Sequence, residues 1–403
     1  MPYAYRSHGT SGRRSARNRS RSFGGNKHRK NNSNRGSYID PRRFINVATP
    51  LEVEEFTPKH SFMDFGFEPV INANLIEKKY IEPSPIQDQA IPLAMTGKDI
   101  IGIAGTGTGK TAAFSLPILN QMLTDTSTQA LVVAPTRELA EQIRSEFRSF
   151  AKNTRINDAL LIGGSNMGKQ INELKRRPRI VIGTPGRIKD HIQRRTLKLG
   201  FFNKIVLDEV DRMLDMGFVN DVTEILSNVS ANRQSLFFSA TMDDRVRRLI
   251  DNFAREPQTV QIKTSVASNN IHQDVVHYRA SSEKIEKLHG ILDDSRVEKT
   301  LIFNETRRNV EKLSKDLAQR GFSSDSIHGG KSQGQRKRAL AKFKSNEVAV
   351  LIATDVAARG IDVSDITHVI NYTIPKEYED YVHRIGRAGR AGRVGHALTF
   401  VEK

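Results

Sequence analysis

Cysteine and long hydrophobic runs are both absent from this sequence of 403 residues. Without cysteine, the chain cannot form disulfides, use a thiol nucleophile or bind a metal through thiolates, and this composition fits a reducing compartment. No apolar stretch approaches the length that spans a bilayer, so we expect no membrane partner and a cytoplasmic location. The length is ample for two domains, each able to bury a core.

Acidic residues are almost missing from the N-terminal part of the chain. Residues 1–45 contain twelve Lys and Arg against a single acid, Asp40, a net charge of +11 within the chain's total of +18. The segment is also rich in Ser, Asn and Gly and poor in aliphatic residues, so it has little apolar surface to offset the entropy of ordering. We therefore predict a disordered basic tail over residues 1–45.

Three functions fit such a tail. An arm that binds nucleic acid would place its basic side chains against phosphates and stack its aromatic rings on bases. A transit peptide is also rich in Arg and Ser, although the helical amphipathic period of such peptides is missing here. A solubilising tail is the third alternative. The aromatic residues available for stacking are Tyr3, Tyr5, Phe23 and Tyr38.

Short apolar runs alternate with helix-compatible stretches from residue 100 onward. Because these runs do not alternate with polar residues, they predict parallel strands that are covered by helices on both faces. A small polar stretch near residue 265 separates two groups of runs, which predicts two tandem α/β domains over 46–263 and 271–403 with a linker over 264–270. The runs are 99–104, 130–135, 159–164, 179–184, 204–209 and 235–241, then 274–280, 300–306, 348–355, 368–374 and 396–402.

One helix in the second half is predicted with a defined end. In residues 309–321, the spacing of Val310, Leu313 and Leu317 places three apolar side chains on one helical face. Gly321 is suited to terminate this helix.

A glycine-rich loop, "AGTGTGKT", follows the first apolar run and precedes a helix-compatible stretch. It is similar to a P-loop, in which backbone N–H groups converge on phosphates at a helix N-terminus, although Ala104 stands where the general form has glycine. Lys110 is expected to neutralise the β and γ phosphates, and the hydroxyl of Thr111 to bind Mg²⁺. The predicted nucleotide-binding residues of the loop are Ala104, Gly105, Thr106, Gly107, Thr108, Gly109, Lys110 and Thr111.

Two adjacent acids, Asp208 and Glu209, end the apolar run at residues 204–209. In isolation, such a pair is typical of a solvated turn. A P-loop needs a carboxylate at the end of a neighbouring strand to hold Mg²⁺, partly through water, and an acid that orients the attacking water. With the P-loop upstream, we expect Asp208 and Glu209 to serve these two functions.

These motifs, taken in order, resemble those of the DEAD-box RNA helicases of superfamily 2, in a bacterial-type member. "DEVD" at 208–211 is similar to motif II, with Val210 in place of the alanine in the family name. The few departures, which include Lys79, Ser84 and Ala388, remove no charged or phosphate-binding group. The matching segments are "YIEPSPIQ" (80–87), "PTRELA" (135–140), "GG" (163–164), "TPGR" (184–187), "SAT" (239–241), "LIFNET" (301–306), "QGQR" (333–336), "ATDVAARGID" (353–362) and "HRIGRAGR" (383–390).

The resemblance implies a fold of two tandem RecA-like domains, each a mostly parallel β-sheet flanked by helices. It also implies that Gln87 binds the adenine edge, with Tyr80 or Phe62 packing on the base, although Phe62 as an ordinary core residue is the alternative. The implied catalytic residues are Lys110, Asp208, Glu209, Arg387 and Arg390, of which Asp208 would hold Mg²⁺ and Glu209 would act as the general base. The second domain would add Gly360 and Asp362 to the nucleotide site. The implied coupling residues are Asp211, which would bond Ser239 or Thr241, and His383.

The implied RNA-binding residues are small, hydroxylic or basic groups that suit contacts to sugar and phosphate rather than to base edges, so sequence preference should be weak. They are Pro135, Thr136, Arg137, Gly163, Gly164, Thr184, Pro185, Gly186 and Arg187 in the first domain, and Gly329, Gln333, Arg336, Thr354 and Asp355 in the second.

The function implied is that of a monomeric ATP-dependent RNA helicase whose domains close around ATP, Mg²⁺ and RNA. It would separate short RNA duplexes or remodel ribonucleoprotein complexes. An ATP-gated RNA clamp or assembly platform with little unwinding is the alternative. A DNA helicase of the same superfamily is a third hypothesis, which the segments at 80–87 and 208–211 disfavour.

Overall fold

The computed structural model describes residues 39–48, 56–105, 107–262, 270–358, 363, 365–389 and 393–403. The predicted tail up to Tyr38, and the predicted linker except for Asn270, lie outside the described residues. None of the helices in the described part has both the length and the apolar character needed to cross a membrane.

The first domain is built on a sheet of seven strands, all paired in parallel, in the order β3-β4-β2-β5-β6-β1-β7. Its central strands β2 and β4 are buried at every position, which is why their sequences are continuously apolar. The strands are β1 Ile100–Ile103, β2 Ala130–Val133, β3 Asp158–Leu161, β4 Ile180–Gly183, β5 Lys204–Asp208, β6 Gln234–Ser239 and β7 Gln258–Gln261.

Helices cover both faces of this sheet and form a separate hydrophobic cluster on each. Phe114 and Phe147 belong to the cluster on one face, and Met213, Ile225 and Leu249 to the cluster on the other. The helices are α1 Pro69–Glu77, α2 Pro85–Met95, α3 Lys110–Thr124, α4 Arg137–Phe150, α5 Met167–Lys175, α6 Pro185–Gln193, α7 Val210–Asp215, α8 Val219–Asn228 and α9 Asp244–Asp251.

The second domain repeats this arrangement around six parallel strands in the order β10-β11-β9-β12-β13-β8. The strands are β8 Ile271–Tyr278, β9 Thr300–Phe303, β10 Ser324–Ile327, β11 Val350–Ala353, β12 His368–Asn371 and β13 Gly395–Glu402. The helices are α10 Ser281–Leu292, α11 Arg307–Gln319, α12 Gln333–Lys344, α13 Asp355–Ala358 and α14 Tyr378–Ile385.

The predicted pair of parallel α/β sheets is confirmed, and the predicted helix over 309–321 is α11, with its apolar face buried and with Gly321 at a φ of 93° just after its end. Two strands were missed, β7 and β10. Both lie at sheet edges, where one side has no neighbouring strand. In β7, Val260 is buried and the other three residues are exposed, so the continuous apolar signal of a central strand is absent.

Residues 39–48 correct the predicted boundaries. We call them the N-terminal segment. They were assigned partly to a disordered tail and partly to the first domain, yet they are ordered and pack on the second domain, with a short 3-10 helix at Pro41–Phe44. Asn46 pairs in antiparallel fashion with Gln273 of β8. The physical reason is that Ile39 and Phe44 provide buried apolar anchors, which the average composition of the basic tail concealed.

Candidate active site

The predicted catalytic segments of the first domain meet because their strands are neighbours. The P-loop follows β1, "SAT" begins at the last residue of β6, and "DEVD" begins at the last residue of β5. These three parallel strands lie side by side in the order β5-β6-β1. Parallel strands present their carboxyl ends at one edge of the sheet, which is where ligands bind in open α/β folds.

The P-loop turns from β1 into α3 through residues with left-handed backbone conformations. Gly107 and Gly109 have φ values of 80° and 92°, which favour glycine. The Lys110 Nζ donates to the carbonyl oxygen of Ala104 at 2.8 Å, so the lysine lies folded across the loop. This turn, with a cation beside it and a helix N-terminus behind it, fits a nucleotide phosphate chain. Thr106 lies outside the described residues.

Gln87, predicted to read the adenine, is tied to the P-loop by its own amide. Its Oε1 accepts from the backbone N–H of Ser84 at 2.9 Å, and its Nε2 donates to the carbonyl of Gly109 at 3.0 Å. The Ser84 hydroxyl donates to the carbonyl of Thr108 at 2.7 Å. A side chain at Gly109 would overlap this amide. The start of α2 and the P-loop are therefore held in one fixed relationship.

The two aromatic candidates for packing on a base differ in exposure. Phe62 is 1% exposed, and its ring lies edge-on to those of Phe65 and Tyr80, at centroid distances of 5.9 and 5.5 Å. This favours the alternative that Phe62 is a core residue. Tyr80 is half-buried against Phe150, and burial raises the pKa of its hydroxyl. Tyr80 therefore stays the better candidate of the two for contact with the nucleotide base.

Asp208 and Glu209 lie at the sharp turn between β5 and α7, and both are buried. Burial raises the pKa of Asp208 to about 6, while the nearby Lys110 opposes that rise. Glu209 has a φ of 56°, a left-handed conformation that is uncommon for a residue with a side chain and is concentrated at functional sites. The geometry fits a metal-binding carboxylate followed by a base.

Arg212 holds the carboxylate of Glu209, a contact that sequence reasoning missed. Its Nη1 lies 3.0 and 3.2 Å from the two Glu209 oxygens, and both side chains are buried. The available signal was the arginine three positions after Glu209, which lies in the first turn of α7 while Glu209 precedes that helix. Arg212 also borders a crevice lined by His383 and Arg387 of the second domain.

Asp211 bonds to the "SAT" segment, as the sequence predicted. Its Oδ2 accepts from the backbone N–H groups of Ala240 and Thr241 at 3.0 and 2.9 Å, and from the Thr241 hydroxyl at 3.1 Å. The Ser239 hydroxyl oxygen accepts from the backbone N–H of Asp211 at 3.2 Å. These bonds fix α7 to the end of β6. The neighbouring Val210 is fully buried in the core.

Helix α14 brings the second domain to this turn. Burial lowers the pKa of His383 to about 4, and Arg212 and Arg387 act in the same direction, so this imidazole is neutral near pH 7. Arg384 bonds Asp355 at 2.6 and 2.8 Å, which anchors α14 to α13. Arg387 is buried. Three further predicted residues, Gly360, Asp362 and Arg390, lie outside the described residues.

The predicted RNA-contacting loops of the first domain come together at the carboxyl ends of β2, β3 and β4. Arg137 begins α4 and packs on Gly163 and Gly164, where a Cβ atom on Gly163 would lie 3.0 Å from its guanidinium. The Arg187 Nη1 donates to the carbonyl of Ser165 at 3.2 Å. The remaining members of this group lie at the starts of helices α4 and α6: Pro135, Thr136, Thr184, Pro185 and Gly186.

In the second domain, Gly329 and Thr354 follow the neighbouring strands β10 and β11. Arg307, at the start of α11, lies beside this edge, because a Cβ on Gly329 would be 3.3 Å from its guanidinium. The arrangement repeats that of Arg137 and the glycine pair of the first domain. Sequence reasoning missed Arg307, although its place directly after "LIFNET" was a usable signal.

Three residues predicted to bind RNA are engaged elsewhere. Arg336 forms an ion pair with Glu138 of α4 at 2.8 Å, and the Gln333 amide lies 3.4 Å from Glu138. Asp355 is bonded to Arg384. The geometry leaves these three assignments as predictions, because the Arg336 Nε and the Gln333 Oε1 have no hydrogen-bond partner within the described residues. It favours contacts between the domains for Gln333 and Arg336, and an anchoring role for Asp355.

The chain is similar to families and proteins of known activity. The sequence profile of the DEAD/DEAH box helicase family matches residues 84–249, and that of the helicase conserved C-terminal domain matches residues 283–392. The ATP-dependent RNA helicase CshA of Listeria monocytogenes is 45% identical over 85% of this chain and 66% of its own length. The DEAD-box ATP-dependent RNA helicase CshA of Bacillus subtilis is 43% identical over 85% of this chain and 69% of its length. The chain thus spans about two thirds of the curated relatives it matches.

Solved structures match both domains together. Dbp5 of Saccharomyces cerevisiae bound to RNA and ADP BeF3 superposes with a TM-score of 0.75 and 31% identity, covering 85% of this chain and 90% of that one. Mss116p bound to single-stranded RNA and AMP-PNP superposes with a TM-score of 0.77 and 28% identity, covering 89% and 77%. The predicted fold of two tandem RecA-like domains is therefore confirmed.

Proposed function

Because the chain belongs to the DEAD-box helicase family, we propose that it is an RNA-dependent ATPase that locally separates short RNA duplexes or remodels ribonucleoprotein complexes. One observation carries this proposal. The Asp208–Glu209 turn lies beside Lys110 of the P-loop and meets α14 of the second domain at Arg212, so that groups from both domains would complete one site. A site divided in this way can act only when the domains are together.

The first domain would bind the nucleotide. ATP bound with Mg²⁺ supplies the phosphoric anhydride that is hydrolysed. Lys110 neutralises its terminal phosphates, and Gln87 with Tyr80 contacts the adenine. Mg²⁺ in such sites keeps several waters and needs only one or two protein ligands, so the single carboxylate of Asp208 and the hydroxyl of Thr111 are sufficient. Gly360, Asp362 and Arg390 complete the proposed nucleotide site from the second domain.

Glu209 would orient the attacking water and accept its proton. The Arg212 Nη1 lies 3.0 Å from a Glu209 carboxylate oxygen and so holds this side chain in place. Arg387 reaches the same site from the second domain and would neutralise the charge that develops on the transferred phosphoryl group. The hydrogen bond between Asp211 and Thr241 would couple changes at this site to the segment that follows β6.

RNA would cross both domains at the edge that carries Arg137, Arg187 and Arg307, with Gly329 and Thr354 beside them. Guanidinium groups and small residues suit sugar and phosphate contacts. ATP and RNA would both favour the closed pair of domains, so each should raise the affinity for the other by linkage.

An ATP-gated RNA clamp is the second candidate, and the buried ion pair between Arg336 and Glu138 favours it, because a well-paired contact between the domains would prolong the closed state. Either activity fits a monomer that acts in the cytoplasm on RNA and ribonucleoprotein partners. The domain boundaries that we propose are 46–263 and 271–403, except that residues 46–48 join the second domain together with the rest of the N-terminal segment.

Assays of ATP hydrolysis and strand separation on purified protein distinguish the helicase from the RNA clamp. We expect ATP hydrolysis to be stimulated by single-stranded RNA and not by DNA of the same sequence, with strand separation of a short RNA duplex that requires ATP. Hydrolysis without strand separation favours the clamp, whereas stimulation by DNA and not by RNA contradicts both.

A further inference from the structure

The N-terminal segment is seated on helix α14 by aromatic and cationic contacts. Phe44 is fully buried, and its ring lies 4.6 Å from that of Tyr381. The guanidinium carbon of Arg43 lies 3.8 Å from the centroid of the Tyr378 ring. Ile39 belongs to the same apolar cluster. The segment therefore packs against one face of α14 over a full turn.

Backbone bonds attach the same segment to the edge strand β8. Asn46 and Gln273 exchange two hydrogen bonds, at 3.0 and 2.8 Å, and the backbone N–H of Ala48 donates to the His272 Nδ1 at 3.2 Å. The side chain of Gln273 in turn accepts from the Tyr381 hydroxyl at 2.9 Å. The segment, β8 and α14 thus form one bonded unit, and the exposed edge of β8 is covered.

The opposite side of α14 and the turn after it face the candidate active site. His383, Arg384 and Arg387 line the crevice that also contains Arg212 of the first domain. Tyr381 faces the N-terminal segment from the same helix. Helix α14 therefore lies between the segment and the residues that the proposed function uses for hydrolysis.

The short length of α14 makes its position depend on what packs against it. It has eight residues, and isolated helices of this length are marginal in water, so tertiary contacts fix where it lies. A displacement of about 1 Å in a catalytic group can lower a rate about a hundredfold. The packing of the N-terminal segment on α14 is therefore expected to affect the position of Arg387.

We propose that Phe44 and Arg43 are positioning residues for ATP hydrolysis, which act through α14 on Arg387. This rests on the proposed function, because it assumes that Arg387 meets the nucleotide. Neither residue touches the reacting atoms. Their contribution is to hold α14 at the distance from the first domain at which Arg387 completes the site.

Substitution of Phe44 in the full chain tests this directly. Phe44→Ala should lower the RNA-stimulated kcat about tenfold or more while KM for ATP changes little, because the ground-state contacts to ATP come mainly from the first domain. Phe44→Leu, which refills most of the space, should restore much of the rate. Ile45→Ala is the matched control, since Ile45 is 56% exposed. An unchanged kcat in Phe44→Ala overturns the proposal.

A double-mutant cycle distinguishes positioning from general loss of structure. If Phe44 acts through Arg387, then Phe44→Ala should cause no further loss of kcat in an Arg387→Ala background, whereas a loss of folded protein would multiply with it. Multiplicative effects would contradict the proposal. If Phe44→Ala does not fold, a comparison of Arg43→Ala with Arg42→Ala, both at exposed positions, tests the proposal instead. Arg43→Ala removes the contact with the Tyr378 ring and should lower kcat, by less than Phe44→Ala, whereas Arg42→Ala should leave kcat unchanged. Equal rates for those two variants would likewise contradict it.

The failure of this inference is distinguishable from failure of the proposed function. If the unaltered protein shows no RNA-stimulated ATP hydrolysis, the proposed function itself is wrong. If that activity is present and Phe44→Ala retains it in full, the proposed function stands and only the positioning role is wrong.

Discussion

Arg336 of the second domain and Glu138 of the first form an ion pair of 2.8 Å, although they are 198 positions apart in the chain, and their side chains are 8% and 6% exposed. Two desolvated charges are stable together only when they are well paired, and removal of one partner leaves the other uncompensated. The pair can therefore form only when the two domains are in contact.

Breaking this pair should weaken the closed state. We expect Arg336→Ala and Glu138→Ala each to lower kcat/KM for RNA-stimulated ATP hydrolysis by about tenfold or more, since a buried charge without its partner costs about 3–5 kcal/mol. The double variant should lose much less than the two single losses combined, with a coupling energy of about 0.5–3 kcal/mol. Lys337→Ala removes the more exposed ion pair with Glu141 and serves as the control. Additive losses would show that the pair is not coupled.

Val210 should affect stability more than turnover. Its side chain is fully buried beside Asp211 and carries no reactive group. Val210→Ala should lower the free energy of unfolding by about 1–3 kcal/mol through lost burial and the resulting cavity, while kcat changes modestly. Val222→Ala, equally buried in the same cluster, is the matched control. Chemical denaturation and ATPase assays measure the two quantities, and a large fall in kcat for Val210→Ala alone would show that packing at this position tunes the active site.

Buried histidine should make the protein less stable in mild acid. Burial lowers the pKa of His368 to about 4, and the stacked His396 and Arg296 act in the same direction, while Asp294 opposes them. The unfolded chain, with a histidine pKa of about 6.5, therefore binds a proton between pH 6.5 and 4 that the folded protein does not. Stability is present above this window and is lost as the pH falls through it.

Substitution of His368 tests the predicted fall in unfolding free energy at lower pH. His368→Gln should flatten the fall in unfolding free energy between pH 6.5 and 4, by up to about 1.4 kcal/mol per pH unit. His277→Gln, at an exposed position of β8, should leave the slope as it was. Denaturant midpoints measured across this range give the answer, and an identical slope in His368→Gln would refute the assignment.

The basic tail should contribute to RNA affinity through its charge. Deletion of residues 1–38, which keeps the N-terminal segment, should weaken RNA binding and reduce its dependence on salt concentration, because fewer counterions are displaced from the RNA. KM for ATP in saturating RNA should be unaffected. Binding titrations at several salt concentrations measure this. An unchanged salt slope would favour the solubilising alternative for the tail.

Much of the fold could be predicted because central parallel strands are buried on both faces and so leave a continuous apolar signal, as in β2 and β4. β7 gave no such signal because three of its four residues are exposed at an edge. The seating of Phe44 on Tyr381 could not be predicted, because a single anchor in a basic segment has no periodicity and its partner lies more than 300 residues away.

The candidate site was predictable where its chemistry is local. The P-loop and the Asp208–Glu209 turn are short segments whose function follows from their order along the chain. Contacts between distant segments were not predictable in this way. The resemblance of "QGQR" to a family motif predicts that Arg336 binds RNA, and nothing in that segment indicates Glu138 as its ion-pair partner.

If Glu209 is the base of an RNA-dependent ATPase, Glu209→Gln should lose ATP turnover in saturating RNA. The amide keeps the size of the side chain but cannot accept the proton, so we expect retained binding of ATP and RNA with kcat lowered by at least about a hundredfold. Glu224→Gln on α8 should turn over like the unaltered protein. Undiminished hydrolysis by Glu209→Gln would contradict the account.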